Sequence, residues 1–557
     1  MSEDHEINVT VDPKMSGHVF HDEGDGHSED GYSDDGYGDD AYIDKGYANE
    51  FDSENFVVDE KKVRQALARL ICTDNVGPQI VEKEGFLRFS RCLNPSVQLG
   101  NVQSMKYECH EIYKEEKEKI KQILTTLDGQ ISLSLDILSG PSGIDYMCLT
   151  AHFIDDDWNA KKWVLYFCRL MGDDFTKVVL KSLSNWGIIS KISTITLKNS
   201  CEYDELVEVL KDQVLKNKKL QLNSQLFRVY CCADILSLMV EDALNEIPEI
   251  IDKVRYLVTC GRPSLMWHNT YHTLKEVSEL YSMGEFSKDE YDGIDIPPAD
   301  EWKKVEGIYK LLENVHNVAK VLFETKHSTA NIYLHNLQNL RESLIKESNG
   351  SDSFIRPVAE KLLKKFDKYW KDMFLVLAIA TVLDPRFKMK YLEFSSSKYE
   401  GNDGNLQVTA VLEAIQSLYG DYSAHAFKIE NSVSEGFPRS HEEGYHNPED
   451  GFNGLREDKH VIQSDNSSPK SELDLYLEGP VIRWSQDFDI LSFWRAASPE
   501  YPTLSRMARD FLAIPVSVVT SFEAYYTQKR RVDLDLLRSG QDVMNTLMCT
   551  RSWLQKD

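Results

Sequence analysis

Ile131 to Asp155 reads ISLSLDILSGPSGIDYMCLTAHFID, and this stretch decides the fold. Ile131, Leu133, Leu135 and Ile137 alternate with Ser132, Ser134 and Asp136. Alternation of that kind is the pattern of a strand with one apolar and one polar face, so the stretch predicts a half-buried strand ending near a carboxylate. Gly140-Pro141-Ser142-Gly143 then supplies a turn, and Tyr146 to Ile154 supplies a second apolar run, the expected hairpin partner. Asp136 has two readings. It is a polar residue ending a strand at a turn, or the first acid of a metal-dependent nuclease or transposase site, where such an acid sits at a strand end facing away from the core.

Working outward, Trp163 to Cys168 predicts a third strand. Phe175, Val179, Leu183 and Trp186 mark a helix, Ile192 to Leu197 a fourth strand, and Leu206, Val209, Leu210 and Val214 another helix. Phe227 to Tyr230 completes five strands and leads into a helix over Ala233 to Leu244. The resulting order, three strands followed by helix-strand-helix-strand-helix, is that of an RNase H-like mixed sheet. Residues 61–130 read as a helical N-terminal segment that ends in the charged run Glu111 to Gln122, and 131–245 read as the first part of the sheet domain. From 246 to 423 the pattern is helical. Within it Val358, Leu362, Phe366, Tyr369 and Met373 form an apolar stripe, with Lys361, Lys364, Lys365, Lys368 and Lys371 largely off it. That lysine row is either a solvated face or a surface for phosphates.

The two remaining parts differ in composition. Residues 1–60 carry 19 acidic residues and two lysines, a net −17, with Gly-Tyr recurring at 31–32, 36–37 and 46–47; this predicts a disordered acidic tail. The other residues carry −11 of the chain's −28, so a basic local surface is not excluded by the total. Residues 424–470 lack periodicity and read as a flexible linker; 471–557 is rich in aromatics, including Trp484, Phe493, Trp494, Tyr501 and Trp553. At 557 residues the chain exceeds one ordinary domain. Ten cysteines without a Cys-x-x-Cys spacing indicate neither a disulfide framework nor a zinc finger. The N-terminus shows no basic-then-apolar pattern, so no secretory leader is expected, and the longest apolar run, Met373 to Leu383, is too short for a membrane span. These features fit a reducing compartment, with no membrane partner.

Three longer motifs carry a family likeness: YMCLTAHFID at 146–155, FDKYWKDMFLVLAIATVLDPRFKMKYLEF at 366–394, and FDILSFWRAASPEYPTLSRMARDFLAIPVS at 488–517. They closely resemble the hAT transposase superfamily, and within it the domesticated plant branch of Daysleeper- and Ricesleeper-like proteins. The resemblance covers roughly 66–423 and 471–557. It implies an α/β plus α architecture, with an RNase H-like sheet interrupted by a large helical insertion and a C-terminal dimerisation segment over 471–557. It also implies a nuclear, DNA-associated protein that forms a homodimer or a heterodimer with hAT relatives.

In active members three acids hold two divalent metals for strand transfer. Asp136 falls on the first. Lys198, in ThrIleThrLeuLysAsn, stands in the second acid's place, and Phe522 stands in the third's with Glu523 one residue late. One residue is about 100° of helical rotation, so Glu523 needs a local bulge to face a metal. No intact catalytic set, metal or cofactor is therefore expected, and an Asp136–Lys198 ion pair is expected if their strands are neighbours. The family's Cys-x-x-His reads Cys231-Cys232-Ala233-Asp234, and its Arg-Trp-Asn-Ser-Thr-Tyr box reads Met266-Trp267-His268-Asn269-Thr270-Tyr271. Trp267 is a candidate for stacking on a base, or a core tryptophan. The Cys-x-x-Cys and paired His of a BED finger do not occur in residues 1–60. Lys529-Arg530-Arg531 is a candidate phosphate contact or import signal. Trp494, Tyr501, Leu504, Met507, Leu512 and Trp553 are candidates for the dimer contact, or residues that close the core. The expectation is an inactive transposase-derived protein that dimerises and associates weakly or non-specifically with DNA, in a regulatory role. The alternatives are a dimerising partner of finger-bearing relatives without DNA affinity, and an active transposase.

Overall fold

The computed structural model describes residues 59–74, 76–139, 144–170, 175–261, 270–286, 293–324, 329–399, 401–434, 470–485, 487–519 and 539–555. Residues 1–58 of the expected acidic tail, Trp267, Phe522, Glu523 and the Lys529-Arg530-Arg531 triplet lie outside them, while Asp59 and Glu60 of that tail open the first helix. Three helices come first: α1 (Glu60–Thr73), α2 (Glu84–Leu93) and α3 (Val102–Thr126). The ends of α1 and α3 are fixed locally. The Asp59 side chain accepts from the amides of Lys61 and Lys62, and Asn101 and Ser104 form a reciprocal capping box.

Five strands follow as predicted in type and order: β1 (Ile131–Ser139), β2 (Asp145–Ile154), β3 (Ala160–Arg169), β4 (Ile192–Leu197) and β5 (Arg228–Tyr230). They are interleaved with α4 (Phe175–Trp186) and α5 (Asp204–Leu215), and β5 leads into α6 (Cys232–Leu244). The sheet order is β3-β2-β1-β4-β5. β1 to β3 form an antiparallel meander, whereas β4 and β5 run parallel to β1. Two-residue periodicity places Leu133 and Leu135 on one face, where they join a core built with α1, α3, α4 and α5.

The other face corrects the half-buried reading. Ser132, Ser134, Asp136, Thr194 and Thr196 are all at most 8 % exposed. The alternation marked a polar face but not a wet one, because two distant parts of the chain cover it. The first is the helical insertion, α7 (Pro248–Gly261), α8 (Thr270–Ser282), α9 (Ala299–Glu324), α10 (Tyr333–Ser348), α11 (Ile355–Val382), α12 (Lys388–Tyr399) and α13 (Gly401–Ser434). The second is the C-terminal part, α14 (Glu472–Glu478), α15 (Ile490–Ala497) and α16 (Pro502–Leu512); the last helix, α17 (Gln541–Leu554), joins the core of Leu133 and Leu135 instead. Two of the buried hydroxyls are matched, whereas Thr194 Oγ1 is buried without a hydrogen-bond partner among the described residues. Thr196 donates to the Pro515 carbonyl at 2.5 Å, and Ser134 Oγ lies 2.8 Å from His152 Nε2. Burial, with Lys162 adding repulsion, holds the His152 imidazole well below its usual pKa.

α13 runs to Ser434, so the expected start of a linker at 424 is also corrected; 435–469 lie outside the described residues. Among the described residues, no helix is long and apolar enough to cross a membrane.

Candidate functional site

β1 and β4 are adjacent and parallel, with Ser134 paired to Thr196. Two residues on, the same register sets Asp136 beside Lys198, which directly follows β4; β1 itself continues three residues beyond Asp136 along β2, so the carboxylate does not end the strand as expected. Lys198 Nζ lies 3.9 Å from Asp136 Oδ1. Asp136 is buried and Lys198 about one-third exposed, so the pair sits at the lip of the sheet. The next residue ties the lip to its surroundings. The Asn199 amide donates to the Asp234 carboxylate at 3.0 Å, and the Asn199 side chain donates to the Tyr369 hydroxyl on α11. Asp234, the residue in the place of the family's histidine, is thus an acceptor that fixes the β4 end.

Cys231 and Cys232 anchor the irregular segment after α16. The Cys232 amide donates to the Val516 carbonyl at 2.8 Å, and the Val518 amide points at Cys231 Sγ at 3.4 Å. Burial pushes both thiols up, so neither is a ready thiolate. Tyr203 lies close by and its phenol is pushed up to about 12, by burial first and then by the field of Glu202, Asp136 and Asp234. A divalent ion does not fit what surrounds Asp136: an ammonium occupies the position beside the carboxylate where a second acid would be needed. Repulsion between Lys198 and such an ion is on the order of several kcal/mol at contact distance. Among the described residues no group of three or more His, Cys, Asp or Glu is arranged to hold a metal.

The lysine row on α11 divides. Lys361 is paired to Glu246 and Lys365 to Asp242, each at 2.5 Å, so these two fasten α11 to α6 and the loop after it. This corrects their reading as free phosphate contacts: they lie on the flank facing α6, where carboxylates meet them. Lys364, Lys368 and Lys371 are exposed and lie at helical spacings of four and three, on one face. Glu360 and Asp367 share that shallow surface, and Asp367 is held by Arg341 at 2.7 Å.

The expected dimer residues are corrected more fully. Trp494, Leu504, Met507 and Leu512 are at most 2 % exposed within the chain, Trp553 is 8 %, and Tyr501 is half-buried. Trp494 donates to the Leu383 carbonyl at 2.9 Å and Tyr476 to the Val382 carbonyl at 3.0 Å. Both satisfy carbonyls that the end of α11 leaves open. α17 covers the edge strand β3 in a similar way. The amides of Val164, Phe167 and Arg169 donate to Ser552, Asn545 and Gln541 at 2.9, 3.0 and 2.9 Å, and Trp553 donates to the Val164 carbonyl at 3.0 Å. The aromatics that looked like an interface belong to the monomer core.

Two features were not read from the sequence. Asp384, fully buried, accepts from Arg386 Nη2 at 2.7 Å, Arg386 Nε at 3.0 Å, the Arg386 amide at 2.9 Å and Asn331 at 2.7 Å. The available signal was an Asp and an Arg bracketing Pro385 directly after a long apolar helix. The second is an exposed strip of Leu475, Val481, Ile482 and Trp484, with the Arg386 guanidinium 4.7 Å from the Trp484 ring centre.

A five-stranded 3-2-1-4-5 sheet with a buried carboxylate on its central first strand, packed with a helical insertion and a C-terminal region, defines an RNase H-like protein of transposase type. Residues 134–226 match the ZBED1 RNase-like domain, 331–422 the hAT-like transposase, RNase-H fold, and 472–554 the hAT family C-terminal dimerisation region. The chain is 30 % identical to the rice zinc finger BED domain-containing protein RICESLEEPER 1, over 90 % of this chain and 75 % of that protein. It is 27 % identical to DAYSLEEPER of Arabidopsis thaliana, over 89 % and 74 %. A putative AC transposase of Zea mays is 29 % identical over 85 % of this chain and 63 % of its own length. The chain belongs to the hAT family of transposase-like proteins.

Proposed function

We propose that this chain is a nuclear, transposase-derived protein that no longer performs strand transfer and instead associates with DNA as a dimer, in a regulatory role. The observation that carries the loss of chemistry is the Lys198 ammonium 3.9 Å from Asp136, a cation where the family's mechanism needs a second carboxylate. DNA association is supported by the exposed face of Lys364, Lys368 and Lys371. Dimerisation is supported by the exposed apolar strip from Leu475 to Trp484, which lies inside the region matching the hAT C-terminal dimerisation family. A second copy of the chain is the occupant assigned to that strip.

The test is duplex-DNA binding by the full chain across a salt series. Affinity is expected to fall log-linearly with salt, and Lys364→Glu, Lys368→Glu and Lys371→Glu together are expected to lower the slope by up to about 2 to 3. No binding at low salt would sink the DNA reading. It would favour the second reading, a dimerising partner of DNA-binding relatives, which the tying of Lys361 and Lys365 to acidic side chains already supports.

A further inference from the structure

The parallel strands have a second end, and it is built differently. Gln130 immediately precedes β1, Lys191 precedes β4, and Lys218, Lys219 and Gln221 come before β5; together they border a cavity of about 710 Å³. Asp136 lies six residues along β1, roughly 20 Å away at about 3.3 Å per residue. α13 and α16 close the cavity with Tyr422, Arg506, Arg509 and Asp510.

Five cations line it: Lys191, Lys218, Lys219, Arg506 and Arg509. Three carboxylates face them. Asp128 leans on Arg506 at 3.6 Å, and Asp421 is at the rim. Asp510 is buried and already engaged, accepting from the Gln130 amide at 2.8 Å and from the Tyr422 hydroxyl at 2.5 Å. Gly129 permits this arrangement, since a side-chain carbon there would come within 3.1 Å of Asp510 Oδ1. Among the described residues Lys218 meets the neutral Gln130 side chain at hydrogen-bond distance, 2.8 Å, and Lys191 donates to the Leu127 carbonyl. Arg509 binds Asp156 at 2.8 Å, while its Nε is buried without a hydrogen-bond partner among the described residues.

We propose that this cavity binds a small phosphorylated anion, whose phosphoryl oxygens are taken by Lys191 and Lys218 inside and by Lys219 and Arg506 at the rim. The volume is that of a small-ligand site, about 300–1,000 Å³, rather than of a surface that tracks a duplex. The lysines also carry a cost that an anion would relieve. Burial, with Lys191 adding repulsion, lowers Lys218 to about 8 against the pull of Asp510, and burial lowers Lys191 against that of Asp128. A run of left-handed residues, Leu222, Asn223 and Ser224 at φ of 44°, 52° and 70°, is held beside this end of the sheet, a backbone cost of the kind found at binding sites.

The experiment is calorimetric titration of the full chain with inorganic pyrophosphate. One saturable site per chain is expected, weakened about tenfold or more in Lys218→Gln, as expected when a charge-assisted hydrogen bond is lost. Because Lys218 is largely buried, Arg506→Gln with Lys219→Gln serves as a variant at the exposed rim, and a weakening there carries the same meaning. No binding at millimolar pyrophosphate, or unchanged affinity in both variants, overturns the proposal. Displacement of bound pyrophosphate by a single-stranded oligonucleotide would make the phosphate source a nucleic-acid backbone; no displacement would make it a free metabolite. The glutamate substitutions on α11 are expected to leave pyrophosphate affinity unchanged, so this proposal and the duplex reading fail separately.

Discussion

Asp384→Ala is expected to destabilise the chain by about 3–5 kcal/mol, read as a lowered urea midpoint. The carboxylate has no exposure and the Arg386 side chain only 6 %, so removing the acid strands a guanidinium in a desolvated place. Asn331 loses its acceptor at the same time, which detaches the start of α10 from the end of α11. The cost comes mostly from the unpaired charge, not from the worth of the pair. Asp384→Leu combined with Arg386→Met is therefore expected to cost less than Asp384→Ala alone. Equal or greater loss in the double variant would contradict that account. The site also joins two regions, since Arg386 Nη1 donates to the Ser485 carbonyl at 3.2 Å and its guanidinium lies 4.7 Å from the Phe488 ring centre.

The second large effect belongs to Trp553. Trp553→Ala is expected to cost about 3–5 kcal/mol, as deletion of a buried aromatic does. Its ring stacks on Tyr113 at 5.4 Å and meets Trp186 edge-on at 5.8 Å, and its indole nitrogen holds the β3 edge. Sedimentation at fixed concentration separates this from an interface role. Trp553→Ala is expected to lower the unfolding midpoint while the oligomeric state of the folded fraction is unchanged. Trp484→Glu, on the exposed strip, is expected to shift the chain toward monomer with little change in midpoint. The reverse pattern would return the C-terminal aromatics to the dimer contact.

What the sequence made legible follows from which interactions are local. Strand type and order were readable because side-chain alternation is a property of a few neighbouring residues, as in Ile131 to Ile137. The pairing of Asp136 with Lys198 was readable once β1 and β4 were taken as neighbours. The burial of Thr196 was not, because its hydroxyl is met by Pro515, hundreds of residues away. The fate of Trp494 and Trp553 was hidden for the same reason: an apolar residue is equally apolar against its own chain and against a partner. Lys361 and Lys365 looked identical to Lys364 and Lys368 until α6 brought Asp242 and Glu246 to one flank only. The cavity before β1, β4 and β5 left almost no local signal, since its cations come from three separate segments.

The central claim is that Lys198 has replaced the acid a metal would need. Manganese titration followed by electron paramagnetic resonance, on the full chain and on Lys198→Asp, addresses it most directly. The wild-type chain is expected to show no saturable manganese site below millimolar concentration, and Lys198→Asp is expected to bind measurably tighter. A stoichiometric micromolar site in the wild type, lost on Asp136→Asn, would contradict the account and restore the chain to the metal-dependent enzymes.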